Sequence, residues 1–328
     1  MNYIDLHCDA LMKTMIKHGK DASLYATLDT MVDFQKMKKG NCLLQVLAIW
    51  VVPQEGYEKW FQIPPISEEA YVKGCLQLYK KNMREHAKTV GAVHSVSEIF
   101  QNQKQGKMST LLAVEDCGIL HEDLENVDRL YAEGVRMMGL LWNEKNCMGS
   151  PQSRNVEQMQ EGLTTFGREA VSYMQEKGMV VDVSHLSDGG FYEVAELAKR
   201  PFIASHSNCR ACAPHTRNLT DEMVRILADH GGVAGVNFGP EFLNRDTEKR
   251  ESKVEQIVEM MWHMRKIGGS EVIAIGTDFD GIEGNLEIAS PAEMPKLFEG
   301  LKKKGFTSTE VEKIAKGNVL RVLKDCIS

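Results

Sequence analysis

The chain has 328 residues, 43% hydrophobic and 26% charged, with 39 basic against 46 acidic side chains and a net charge of -7. Such a composition belongs to a globular protein with a substantial core. The lack of any basic block argues against nucleic-acid binding, and no run approaches the roughly 18 apolar residues of a membrane span.

The opening Met1, Asn2, Tyr3 passes at once into strand-like sequence without a basic-then-apolar leader, and the end, Val322 to Ser328, is too short and polar for an anchor. A cytoplasmic protein with no membrane association is therefore expected. Its eight cysteines are expected to be reduced thiols. Cys209 and Cys212 form a lone C-x-x-C without the second pair a zinc ribbon needs.

In chain order, short apolar β-rich runs alternate with longer amphipathic ones. Strands are predicted at residues 3–8, 42–52, 109–114, 135–142, 179–184, 202–205, 233–238 and 272–277. Helices are predicted at 31–38, 68–89, 124–132, 165–177, 190–199, 221–229 and 253–267, with two more at 292–304 and 309–323. Gly40, Gly134, Gly178, Gly231 and Gly268 read as helix exits, and Asp221 and Ser308 as N-caps. Strands apolar on both faces, alternating with helices, imply a parallel sheet covered by helices. Eight units in about 280 residues fit a single (β/α)8 TIM barrel domain over residues 1–328. An open doubly wound sheet lacks support, because no Gly-rich phosphate loop follows the first strand.

A closed barrel places its active site at the C-terminal strand ends. Those ends carry His7, Cys8 and Asp9; Glu115 and Asp116; Trp142 and Asn143; His185; His206; and Asp278, Phe279 and Asp280. His7 and Asp9, two apart, point to the same side if the strand continues through them. Singly, each has a bland reading: a turn after an edge strand, a carboxylate paired with arginine, a hydrogen-bonded core histidine. Together, His7, Asp9, Glu115, His185 and His206 read as metal ligands. Imidazole with carboxylate suits zinc or another divalent first-row metal. Five such groups suggest two ions bridged by a shared carboxylate, with Asp278 moving a proton from the attacking water to the leaving amine.

The ordered series Asp5-Leu6-His7-Cys8-Asp9, Ala113-Val114-Glu115-Asp116, Asp182-Val183-Ser184-His185, Ser205-His206-Ser207-Asn208, Thr216-Arg217-Asn218 and Ile275-Gly276-Thr277-Asp278-Phe279-Asp280-Gly281 resembles the membrane dipeptidase (renal dipeptidase) family of the amidohydrolase superfamily. The resemblance implies one zinc on His7, Asp9 and Glu115, and a second on Glu115, His185 and His206. It further implies that Arg217 binds the C-terminal carboxylate of a small dipeptide substrate, that Asp278 transfers the proton, and that Asp280 braces its loop. Two departures stand out. Animal members are secreted and lipid-anchored, whereas this sequence shows neither signal. The family's usual histidine after the fourth strand is replaced by Trp142, with Asn143 an auxiliary donor; the alternative has Trp142 pointing into the barrel wall and residues 144–146 contacting substrate. A related amidohydrolase acting on N-acyl amino acids or lactones, an inactive metal-binding scaffold, and a homodimer are all compatible with the sequence.

Overall fold

The computed structural model describes residues 1–246 and 248–327. Among them, eight parallel strands form a ring: β1 (Tyr3–Asp5), β2 (Cys42–Trp50), β3 (Met108–Glu115), β4 (Val135–Gly139), β5 (Val180–Asp182), β6 (Ile203–Ala204), β7 (Val233–Val236) and β8 (Ile273–Ile275). Each pairs with the next in chain order. β8 returns beside β1, where the Leu6 N–H donates to the Ile275 carbonyl at 2.9 Å. The fold is a nearly closed (β/α)8 TIM barrel. A short strand, Val90–Ala92, adds to the start of β3.

Strand alternation sorts side chains between the barrel interior and the helix layer. Leu111 and Ala113 join an inner cluster with Ile4, Val46, Val180 and Val233. Leu112 and Val114 instead pack in the larger cluster beneath the helices. Glu115 continues the Leu111 and Ala113 series, so its carboxylate rises over the barrel mouth. The opposite end is closed by the helix Asn318–Cys326, whose Val319, Val322, Leu323 and Cys326 join the inner cluster.

Several expectations are corrected here. Helices Ala10–His18, Gln54–Phe61 and Val96–Lys104 add to the predicted set. The N-caps are Thr220 and Thr307 rather than Asp221 and Ser308, because their hydroxyls accept the Met223 and Glu310 amides. The left-handed helix exit is Gly269 (φ 80), one residue beyond Gly268. Strands β1, β5 and β8 stop two or three residues before their predicted ends. The chain leaves the ladder there: His185 (φ 70) and Asp278 (φ 61) both occupy the left-handed region, which regular strand pairing excludes. Asp9 thus stands not on a strand but as the residue preceding helix Ala10–His18. No helix among the described residues is long and apolar enough to cross a membrane, and all eight cysteines are free.

Barrel closure rests on a buried polar contact. Asp5 Oδ1 accepts the Thr277 amide at 2.9 Å, and Asp5 Oδ2 accepts the Thr277 hydroxyl at 2.7 Å. Asp5→Ala should leave both donors unpaired in the core, at a cost of about 1–3 kcal/mol for each such group. The expected result is a lower urea midpoint at unchanged slope; an unaltered midpoint would show that closure does not depend on this carboxylate.

Candidate metal centre and active site

The strand ends bring His7, Asp9, Glu115, His185, His206 and Asp278 into one buried group. His7 Nε2 lies 3.5 Å from Asp9 Oδ2, 3.5 Å from Glu115 Oε2 and 3.9 Å from Asp278 Oδ1. On the other side of the same carboxylate, Glu115 Oε1 faces His185 Nε2 at 3.0 Å and His206 Nε2 at 3.5 Å. Glu115 therefore stands between two sets of donors, one oxygen toward each, and its neighbours are imidazoles rather than an arginine.

The protonation pattern follows from burial and charge. Burial pushes the Glu115 carboxyl up, but the surrounding imidazoles, His7 foremost, hold it well below its ordinary range. Burial alone would depress His7; the adjacent Glu115 and Asp9 carboxylates outweigh it and raise His7 well above its usual value. His185 is pushed down to about 4 by burial and then by the Arg217 charge. His206 is depressed by burial and by His7. Burial raises Asp278 to about 8, with His7 opposing and the Asp9 and Glu115 charges reinforcing it.

Two observations suit this group to divalent cations. His7 Nε2 and Asp9 Oδ1 are buried and make no hydrogen bond among the described residues. His185 Nε2 and His206 Nε2 lie 3.0 Å apart. Each ring's Nδ1 faces a side-chain oxygen, Asn143 Oδ1 at 3.0 Å for His185 and Ser205 Oγ at 2.7 Å for His206. With Nδ1–H donating in both rings, two lone pairs oppose each other, an arrangement a cation relieves. Gly281 keeps the space open, since a Cβ there would sit 2.3 Å from Asp9 Oδ2 and 2.6 Å from Asp278 Oδ1.

A cavity of about 610 Å³ opens above this group, lined in part by Asp9, Glu115, His185 and Asp278. Trp142 lines it rather than pointing into the barrel wall, and Asn143 lines it too. The Asn143 carbonyl oxygen is engaged by His185, so the side chain orients a candidate ligand as well as facing the cavity. Arg217 is buried; its NH1 donates to Ser207 Oγ at 3.0 Å and its NH2 to the His206 carbonyl at 3.1 Å. Its Nε is buried without a hydrogen-bond partner among the described residues. Asp280 accepts the Met31 and Val32 amides at 2.6 and 3.0 Å and pairs with Lys13 at 3.3 Å, which ties its loop down.

The sequence profile of one family, described as membrane dipeptidase (peptidase family M19), matches residues 1–327. The chain belongs to the membrane dipeptidase family. It is thus an enzyme of the peptidase class of hydrolases, in a family of metallopeptidases. A Klebsiella pneumoniae relative, described as an uncharacterized protein in the pqqA 5' region, is 32% identical over 70% of this chain and 87% of its own. The dipeptidase tcpJ of Claviceps purpurea is 27% identical over 76% of this chain and 58% of its own. Among solved structures, a metallopeptidase from Rhodobacter sphaeroides, liganded with a phosphinate mimic of the dipeptide L-Ala-D-Ala, superposes with a TM-score of 0.87 at 24% identity over 99% of both chains. A family M19 metallopeptidase described as dipeptidase AC gives a TM-score of 0.88 at 24% identity, covering 100% of this chain and 99% of the other.

In this membrane dipeptidase family member, the groups behind the ligand candidates went unread in the sequence. Asp182 Oδ2 accepts the Ser205 hydroxyl, and Asp182 Oδ1 accepts the Ser184 and Ser205 amides at 3.0 and 2.8 Å. With its proton committed to Asp182, Ser205 Oγ accepts from His206 Nδ1–H, and the Nε2 lone pair is left toward Glu115. Asn237 Nδ2 likewise donates to Asp278 Oδ2 at 2.7 Å. The available signal was polarity: Asp182 and Ser205 interrupt apolar runs where an unpaired polar group is costly. Ser205→Ala should lower metal affinity about 10–100-fold, as for other groups that orient a ligand. Titration of metal-free protein against a chelating indicator checks this; affinity equal to wild type would remove Ser205 from the metal centre.

Proposed function

We propose that this chain is a zinc-dependent dipeptidase with two ions per chain. In this reading His7, Asp9 and Glu115 hold one ion, while Glu115, His185 and His206 hold the other. The observation that carries the reading is Glu115, a buried carboxylate that turns one oxygen to His7 and the other to His185 and His206. When bound, the ion pair would lower the pKa of a water and polarise the scissile carbonyl.

The chain's own residues supply the remaining steps. Asn237 fixes Asp278 Oδ2, so Asp278 Oδ1, on the His7 side, is the oxygen that takes a proton from the nucleophile and passes it to the leaving amine. Arg217 keeps its Nε–H and one N–H on each terminal nitrogen for a substrate carboxylate. The dipeptide mimic held by the Rhodobacter sphaeroides neighbour supports a substrate of this size.

Elemental analysis of active protein is expected to give two divalent ions per chain, and Glu115→Gln should weaken both sites. Asp278→Asn should retain the metal while kcat on dipeptides falls about 10²–10⁴-fold, the usual contribution of a positioned acid–base group. One ion or none in active protein would overturn the two-ion centre. Metal-loaded protein inert toward a dipeptide panel would leave a metal-binding scaffold.

Arg217→Ala would leave a substrate carboxylate unpaired in a buried site, a loss of about 2–5 kcal/mol. Wild type should therefore prefer a free dipeptide to its C-terminal amide, and the variant should lose that preference. Equal discrimination by both proteins would sink the assignment.

A further inference from the structure

The cavity wall has an aromatic side that the chemistry above leaves unused. Trp50 is the last residue of β2, and Trp60 follows on the helix Gln54–Phe61. Their ring centroids lie 5.8 Å apart. Trp142, after β4, closes the group at 4.9 Å from Trp50 and 5.5 Å from Trp60. All three line the cavity, together with Phe61. Trp50 is 8% exposed and acts as the base of the wall, whereas Trp60 is 40% exposed. An indole left this open at the rim of a cavity is apolar surface available to a ligand rather than core filling.

The barrel gives this wall a direction. The strands run β1 to β8 around the ring, so β2 and β6 stand diametrically opposite. Arg217 follows β6 and hydrogen-bonds to His206 and Ser207 on that side. A dipeptide whose carboxylate meets Arg217, and whose amide lies over Glu115, directs its N-terminal residue across the mouth toward β2 and β4. There it meets the three indoles.

We propose that Trp50, Trp60 and Trp142 form the subsite for the substrate's N-terminal side chain, and that they select dipeptides whose N-terminal residue is aromatic or large and apolar. This rests on the dipeptidase reading and on Arg217 as its carboxylate anchor. Offset and edge-to-face contacts with a substrate ring extend the packing the indoles already make with one another. A glycine or alanine at that position would leave the wall in water. Trp142 then contributes specificity through its ring face.

The test compares kcat/KM for Phe-Ala, Lys-Ala and Gly-Ala in metal-loaded wild type, Trp60→Ala and Trp60→Phe. Wild type should favour Phe-Ala over Gly-Ala by about tenfold or more, the scale of apolar-pocket discrimination. Trp60→Ala should collapse that ratio chiefly by lowering kcat/KM for Phe-Ala, and Trp60→Phe should largely restore it. A flat wild-type ratio, or a ratio untouched by Trp60→Ala, would overturn the subsite. Lys-Ala equal to Phe-Ala would overturn the apolar preference in favour of a cation held on the ring faces. Binding of phosphinate isosteres of Phe-Ala and Gly-Ala, followed by calorimetry, reads the wall without turnover. An affinity for the Phe-Ala isostere that falls in Trp60→Ala, with the Gly-Ala isostere affected less, supports the subsite even if no dipeptide is cleaved, in which case it is the dipeptidase reading that falls.

Discussion

The structure turns on one carboxylate. Glu115 ends the inward series of β3 and is buried with three imidazoles around it. A carboxylate in such a place is costly unless it is paired and hydrogen-bonded. Much of the surrounding polar structure serves to hold its partners still. Asp182 and Ser205 set His206, Asn143 sets His185, and Asn237 sets Asp278. The left-handed conformations at Asp116, His185, Asp278 and Asp280 occur along the same rim, where strained backbone is kept only because neighbouring contacts over-determine it.

Closing the barrel and completing the site are one structural event. Asp5 and Thr277 join across 272 residues of sequence. Just beyond them the Asp9 amide donates to the Phe279 carbonyl at 2.9 Å, and the Asp278 amide donates to the His7 carbonyl at 3.2 Å. His7 and Asp9 are therefore aimed by the last strand as much as by the first. Asp280 extends the seam to Met31, Val32 and Lys13. The two carboxylates of the Asp278-Phe279-Asp280 turn thus divide their work, one facing the cavity chemistry and the other fastening the loop that carries it.

This division explains what could be read from sequence and what could not. Runs such as Leu111 to Val114 and Val233 to Val236 are apolar on both faces, and the barrel's strands followed from them. The ligand-type residues that end or follow β1, β3, β5, β6 and β8 are gathered at the barrel mouth for the same reason. The strands end before their apolar runs do because apolar content does not register a positive φ: His185 follows the run Val180 to Val183 yet turns off the ladder. Helix Ala10–His18 was hidden because the residue preceding it, Asp9, is itself a ligand candidate with no side-chain capping bond. Asp182 belongs to a motif that the sequence displays, but its role depends on Ser205 at the end of the neighbouring strand, a pairing that only the fold brings about. Trp60 gave no signal at all. A single indole in a polar helix looks like surface until the fold sets it against Trp50 and Trp142.

The two sides of the barrel mouth are under different constraints. Around β5 and β6 the candidate ligands His185 and His206 are oriented by second residues, so replacing one group disturbs others, as with the Asp182, Ser205 and His206 chain. Around β2 and β4 the wall is held by packing between indoles, which depends on shape and area rather than on donor and acceptor identity. Volume-conserving changes in such packing usually cost little. Under the proposed function, substitutions at the β2 and β4 rim would therefore change the accepted side chain while leaving the Glu115 centre and Arg217 intact. Trp142 fits that pattern. It stands one residue before Asn143, which is bound to His185, yet its own ring belongs to the aromatic wall. The boundary between the hydrogen-bonded side of the barrel mouth and its aromatic wall falls between those two adjacent residues.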